Sequence, residues 1–254
     1  MSKRKIERRT FLKGAASSAG LILAGCSESD PPTYGNILRM ADNLTYKTHR
    51  LLLPEQSLAR EYDFKDISSS PAIGTTNPAD PDKSIYSEEQ GPIFERHLKN
   101  NFADWRITVA GSVMQPGSFS LADLKRLPSR TQITRHVCEE GWSAISQWTG
   151  VPLHHVLAAV GLQPGARYVQ YRAYDDWADC IDMYDALHPQ TILAYGMNGR
   201  DLPLSHGAPV RLRVERQLGY KSMKFLRSIV VLDEFDDGGE FGNIQSGWSW
   251  YAGI

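Results

Sequence analysis

Apolar residues in this chain recur in short runs, and most of those runs have a period of two. Trp105, Ile107 and Val109 alternate with polar positions and stop at Gly111, the pattern of a strand with one buried face. Val210, Leu212 and Val214 alternate in the same way with Arg211, Arg213 and Glu215, which predicts a half-buried strand whose charged positions face solvent. Residues 133–138, 168–173, 191–197 and 228–232 read as further extended segments, and Asn198-Gly199 is the expected hairpin turn. Helical spacing is confined to short stretches. Ser120 and Asp123 form a capping box for a helix reaching Leu127. Pro152 suits the first position of a helix that carries Leu153, Val156, Leu157 and Val160 up to Gly161. Residues 37–100 are poorly periodic, residues 142–150 read as a loop, and residues 68–82 form a long Ser/Pro/Asp-rich loop. A loop of that length inside a compact domain usually has a function. Short strands and short helices in this mixture predict an α+β class with strand-rich mixed sheets.

The first 25 residues obey different rules. Lys3, Arg4, Lys5, Arg8, Arg9 and Lys13 stand against one acid, Glu7, and Arg8-Arg9-Thr10-Phe11-Leu12-Lys13 looks like a twin-arginine export signal. Residues 15–25 are uncharged and mostly apolar. This run is far short of the ~20 residues that span a bilayer, so it reads as the apolar region of a removable signal. Leu23-Ala24-Gly25-Cys26 resembles a lipoprotein cleavage box, in which the Cys26 thiol becomes the lipid attachment point. The resulting division is a signal over 1–25, a tether over 26–48 and one domain over 49–254. The expected location is the periplasmic side of a membrane, reached in the folded state.

Charge narrows the partners. The whole chain has 28 Lys plus Arg and 29 Asp plus Glu, and removing the signal's six basic and one acidic residues leaves a net charge of −6. An acidic domain is a poor ligand for nucleic acid. One segment runs the other way: Arg211, Arg213, Arg216, Lys221, Lys224 and Arg227 face only Glu215 as an opposing charge. The turn 219–224, Gly-Tyr-Lys-Ser-Met-Lys, could bring backbone N–H groups and lysines onto an anion such as a phosphate.

Cys138 is the residue that chemistry must explain. A thiolate is a soft, strongly donating metal ligand. Cys180 reads as a small buried apolar side chain, with a Cys138–Cys180 disulfide as the competing arrangement in an oxidising compartment. His136-Val137-Cys138 alone could suggest zinc, but no second ligand pair follows it. His154 and His155 lack metal-ligand spacing. Trp248, Trp250 and Tyr251 read mainly as a tail packed on the body, with coverage of a pocket mouth as the lesser reading.

Four blocks, in order, resemble the catalytic domain shared by sulfite oxidases and the periplasmic molybdopterin-dependent protein-methionine-sulfoxide reductases. They are Arg135-His136-Val137-Cys138-Glu139-Glu140-Gly141-Trp142-Ser143, Leu187-His188-Pro189-Gln190-Thr191, Gly207-Ala208-Pro209-Val210-Arg211-Leu212 and Leu218-Gly219-Tyr220-Lys221. The resemblance covers residues 68–254 and implies a sulfite-oxidase-type molybdopterin-binding fold. It implies one molybdenum per chain, held by the dithiolene of one molybdopterin and by the Cys138 thiolate. By position, Arg211 and the turn Ser222-Met223-Lys224 would hold the pterin phosphate. His206 stands where the reductases have asparagine and Ala173 where they have threonine. Ser68, Pro71 and Ala72 fall on their first cofactor loop in place of Asn and Tyr-Glu.

The resemblance also bears on the reaction. Sulfite oxidases follow their cysteine with Ala-Gly-Asn-Arg, whereas Glu139-Glu140-Gly141-Trp142 follows here. Carboxylates beside the metal ligand oppose a sulfite dianion. The expected reaction is oxygen-atom transfer that reduces an S-oxide or N-oxide, small or protein-bound, with electrons from a haem or quinone partner. Sulfite-type oxidation, or a cofactor-free lipoprotein binding module on the same fold, is the alternative. Without the family's dimerisation domain, a monomer is expected.

Overall fold

The computed structural model describes residues 39–54, 57–82 and 86–254. The signal, Cys26 and the first part of the proposed tether lie outside the described residues. Helix α1 (Met40–Leu52) is followed by α2 (Gln90–Lys99), strands β1 (Arg106–Gly111) and β2 (Gly117–Ser120), and helix α3 (Leu121–Arg126). Next come β3 (Arg130–Val137), β4 (Ser143–Pro152), α4 (Leu153–Val160), β5 (Tyr168–Ala173), β6 (Ala178–Asp182) and α5 (Met183–Ala186). The chain closes with β7 (Ile192–Met197), β8 (Arg200–Asp201), β9 (Arg211–Arg213) and β10 (Leu226–Leu232).

The strands form two sheets. One runs β2-β1-β10-β5-β6, mixed because β1 lies parallel to β10. The other runs β3-β4-β7-β8, antiparallel throughout, with β9 also paired to β7. Ile107, Val109, Val169, Ile229, Val231 and the α4 residues Val156 and Leu157 share one core cluster with Leu193 and Leu212 of the second sheet. The α+β class expected from periodicity is the class observed.

Several local expectations are met for the stated reasons. Ser120 Oγ accepts from Asp123 N–H and Asp123 Oδ2 accepts from Ser120 N–H, so both halves of the capping box close. Gly111 ends β1 with φ +91°, where a Cβ would strike the Val231 carbonyl. Asn198 and Gly199 both have positive φ between the paired residues Met197 and Arg200, the geometry that a tight two-residue hairpin demands. Pro152 sits at the N-cap of α4, one position before the helix proper.

Three segments differ from the sequence reading. Residues 143–152 are strand β4 rather than loop, and its buried face is Ala144, Ser146, Trp148 and Gly150, too small and polar to show as apolar alternation. Gly150 is needed there, since a Cβ would meet the β7 backbone. Strand β6 is buried along its whole length although it contains Asp179 and Asp182. Buried partners satisfy both: Lys221 and Asn243 donate to Asp179 at 2.6 Å each, and Arg50 donates to Asp182 at 2.9 Å.

The third difference is α1, which begins inside the segment read as tether. Tyr46 is 2% exposed and packs on Trp250 and Tyr251 at centroid distances of 4.9 and 5.1 Å. Asn43 Oδ1 accepts from Trp250 Nε1 at 2.8 Å, and Arg50 reaches Asp185 at 3.1 Å as well as Asp182. Residues 40–48 are thus part of the folded body. Tyr46→Ala should lower unfolding stability by about 3 kcal/mol, the cost of emptying a buried aromatic site, as read by denaturant titration; a free tether would show no change.

A candidate cofactor pocket

Cys138 follows the end of β3 in a tight loop closed by Cys138 N–H to Trp142 O (2.9 Å) and Gly141 N–H to Cys138 O (3.1 Å). The side chain is 4% exposed and lines a cavity of about 390 Å³. Burial first, then the Glu139 and Glu140 carboxylates, push its thiol up to about 11, against the Glu140 backbone N–H. The Cys138 Sγ lies 3.6 Å from Glu139 Oε2. A thiol so placed becomes a thiolate only when a cation binds it. Cys138 and Cys180 are both free, so the disulfide alternative does not form. Among the described residues no group of three or more His, Cys, Asp or Glu converges on a metal position, so a metal at Cys138 must bring its remaining donors with it.

The cationic wall comes from β9 and the turn after it. Arg211 is 6% exposed, and its guanidinium donates to His206 O (3.0 Å) and Ser222 O (2.7 Å), with Nε lacking a partner. Its other contact is the face of Trp148, 5.1 Å to the ring centroid. Lys224 Nζ donates to Ile73 O (2.8 Å), Thr75 O and Ser205 O (3.3 Å). Among the described residues neither cation makes a salt bridge to a carboxylate.

The electrostatic consequence runs through the whole wall. Burial, then Arg213, drive Arg211 down against the opposing Glu215; burial, then Arg211, press Lys224 down to about 8 against Asp175. A guanidinium does not give up its proton in a protein, so an anion is the available relief. Burial and the same cations hold His206 down to about 4 and His136 down to about 2. His136 Nδ1 lies 2.7 Å from Arg213 Nη1, which can only donate, so the imidazole keeps its proton on Nε2. Gly219 lets that ring approach, since a Cβ there would collide with it.

The alternating arginines of 210–215 are therefore not a solvated face. Arg213 is 1% exposed and bonds Glu215 through Nε (3.0 Å) and Nη2 (2.8 Å). The turn 219–224 also differs from expectation, because Lys221 points into the body and bonds Asp179 and Cys180 O. Arg227 donates to Ala173 O instead of entering the cavity. Of the six basic residues in this run, Arg211 and Lys224 line the pocket.

The cavity also brings together Pro71, Ala72, His206, Ser222 and Met223 from the expected set. Ser68 and Ala173 lie outside the lining. Ser68 pins the start of the 68–82 loop to Ile145 by two hydrogen bonds, of 3.0 and 2.9 Å. Ala173 is fully buried, with N–H given to Trp177 O and its carbonyl taken by Arg227. The block 187–191 serves the fold: His188 and Gln190 grip the backbone of Ser57 and Ala59. Lining residues missed by sequence reasoning include His136, Trp148, Asp175 and Trp177. The Arg135-to-Ser143 motif did point at His136. The aromatic tail divides, with Trp248 on the pocket and against Tyr220 at 5.1 Å, and Trp250 and Tyr251 in the cluster with Tyr46.

Comparison with known proteins agrees with this geometry. Residues 95–239 match the family model of the oxidoreductase molybdopterin binding domain. The chain is 32% identical over 247 residues to a putative protein-methionine-sulfoxide reductase subunit, YedZ1, of Azospira oryzae, covering 97% of this chain and 87% of that protein. It is 29% identical over 249 residues to the protein-methionine-sulfoxide reductase catalytic subunit MsrP of Xanthomonas axonopodis pv. citri, covering 91% and 71%. The sulfane dehydrogenase SoxCD of Paracoccus pantotrophus shares the fold, with TM-score 0.51 and 20% identity over 84% of this chain and 59% of that one. A buried thiol and two cations bonded to peptide carbonyls in one cavity suit a molybdopterin, and the chain belongs to the oxidoreductase molybdopterin binding domain family.

Proposed function

We propose that this protein holds one molybdenum through Cys138 and one molybdopterin, and reduces an uncharged S-oxide such as methionine sulfoxide. The observation that carries the reading is the pair of cations, buried Arg211 and half-buried Lys224, bonded to peptide carbonyls in the cavity that also holds Cys138. Arg211 and the Ser222-Met223-Lys224 turn would take the pterin phosphate, and Cys138 would bind the metal as a thiolate. The bound group supplies two-electron oxygen-atom chemistry.

The chain's own residues select the substrate. Glu139 and Glu140 line the same cavity as the Cys138 thiol and disfavour a dianion. Trp142, Trp177, Tyr220 and Trp248 offer flat apolar surfaces that exclude water and suit a thioether-like side chain. Reduction of an S-oxide consumes two electrons and two protons and releases water. The electrons would come from a haem or quinone partner at the membrane. The twin-arginine run and the Cys26 box support export in the folded state and lipid anchorage on the periplasmic side. The substrate in the names of the two reductase relatives supports S-oxide reduction.

Three outcomes test this reading. Purified after export, the protein should contain about one molybdenum and one pterin per chain, and Cys138→Ser should lose the metal's thiolate absorption and the activity. Turnover of sulfoxides with a reduced viologen dye should exceed sulfite oxidation with ferricyanide; rapid sulfite oxidation without S-oxide turnover would reverse the assignment.

The second outcome concerns pH. Lys224 is held at about 8 in the folded chain, below its ordinary value, so across the interval above pH 8 the unfolded state binds more protons and stability rises with pH. The rise should appear in cofactor-free protein as the difference between its denaturant titrations and those of Lys224→Met, because the Cys138 thiol, held up by burial, contributes the opposite slope in both proteins. Loading the cofactor should flatten it, because a bound phosphate restores the ordinary lysine charge state. The third concerns location: Cys26→Ala should release or mislocalise the protein without changing its fold, and an unmodified Cys26 in native protein would contradict the anchor.

A further inference from the structure

Helix α1 is built inside out. Its inward face carries polar and aromatic groups: Asp42 accepts from Ser249 Oγ (3.0 Å), Asn43 from Trp250 Nε1 (2.8 Å), and His49 Nδ1 lies 3.2 Å from Tyr251 Oη. Its outward face carries the aliphatics. Met40 is 64% exposed, Leu44 64% and Leu51 50%. At about 100° per residue these three positions fall within about 40° of one another on the helix surface. Lys47 falls beside them, and Leu52 (68% exposed) extends the apolar surface at the helix end. Seven of the thirteen exposed large hydrophobics among the described residues lie within positions 40–64. Scattered exposed apolar residues are ordinary in folded proteins, but a concentration on one helix stripe marks an interaction surface.

We propose that this stripe of α1 lies on a phospholipid bilayer as an interfacial helix. The proposal rests on the lipid anchorage of Cys26 put forward above. Cys26 and Met40 are 14 positions apart, so even fully extended the connecting chain reaches at most about 50 Å. A tether of that reach keeps α1 within about 50 Å of the membrane. Aliphatic side chains without hydrogen-bonding groups suit the headgroup–acyl boundary, into which such helices sink by about 5–10 Å.

The contact has a consequence for the pocket. The inward face of α1 holds Ser249 and Trp250, the two residues after Trp248, which lines the cavity. A helix fixed on the bilayer therefore fixes the orientation of the pocket mouth relative to the membrane.

The test uses the full chain with nitroxide labels. Cys138 and Cys180 are buried, so labels are placed at Leu44→Cys and Leu51→Cys, and the spectrum of the labelled native sequence gives any Cys26 signal to subtract. Power-saturation spectra are recorded with and without vesicles of phosphatidylethanolamine and phosphatidylglycerol. Both labels should shift from access by an aqueous nickel chelate to access by oxygen when vesicles are added. Leu44→Glu with Leu51→Glu, at exposed positions that leave the fold intact, should abolish the same shift read at Met40→Cys. Labels that stay chelate-accessible on vesicles overturn the proposal, as does a shift that survives the two glutamates. The mass of the Cys26 peptide reads the anchor separately: an unmodified cysteine with labels in lipid leaves the docking standing and removes the anchor, and an acylated cysteine with aqueous labels does the reverse.

Discussion

Arg211 is a buried cation and Lys224 a half-buried one, and both are hydrogen-bonded to peptide carbonyls rather than to carboxylates. That arrangement costs free energy until an anion arrives. Much of the surrounding structure serves to keep it. Glu215, the nearest candidate to neutralise Arg211, is already engaged by Arg213 and Gln132. Lys221, the next lysine in the same turn, is drawn off by Asp179 under strand β6. The Trp148 ring lies against both Arg211 and Arg213 and closes the space between them to water. The positive potential is left directed at the cavity.

The opposite requirement holds at Cys138. Its thiol stays protonated because it is buried next to Glu139 and Glu140. One pocket thus combines a cationic wall with a protonated thiol. The proposed reading uses both, the wall for the phosphate of a molybdopterin and the thiol for its metal, in a chain of a molybdopterin-binding family.

Strands with one apolar face were legible in the sequence because burial writes a period of two into β1 and into the second half of β10. Strand β4 was not, since Ala144, Ser146 and Gly150 occupy its buried face and leave Trp148 as the sole large residue there. Strand β6 hid behind Asp179 and Asp182, whose burial makes sense only with Lys221, Asn243 and Arg50 in place. Helix α1 was unreadable for a related reason: its polar side faces in and its aliphatic side faces out, which inverts the usual rule. At the site, Cys138, Arg211 and Lys224 carried clear chemical signals. Asp175 and Trp177 did not, because only the turn between β5 and β6 brings them to the cavity. The same alternation that revealed the 210–215 segment suggested that its arginines faced solvent, and only tertiary packing shows that both faces are buried.

The claim that the pocket joins metal and anion through this chain's own side chains is tested most directly by X-ray absorption at the molybdenum edge on purified protein. The expected spectrum has a sulfur contribution from Cys138 in addition to those of the dithiolene, and that contribution alone should vanish in Cys138→Ser. A spectrum identical in the two proteins, or one with no sulfur neighbours, would contradict the account.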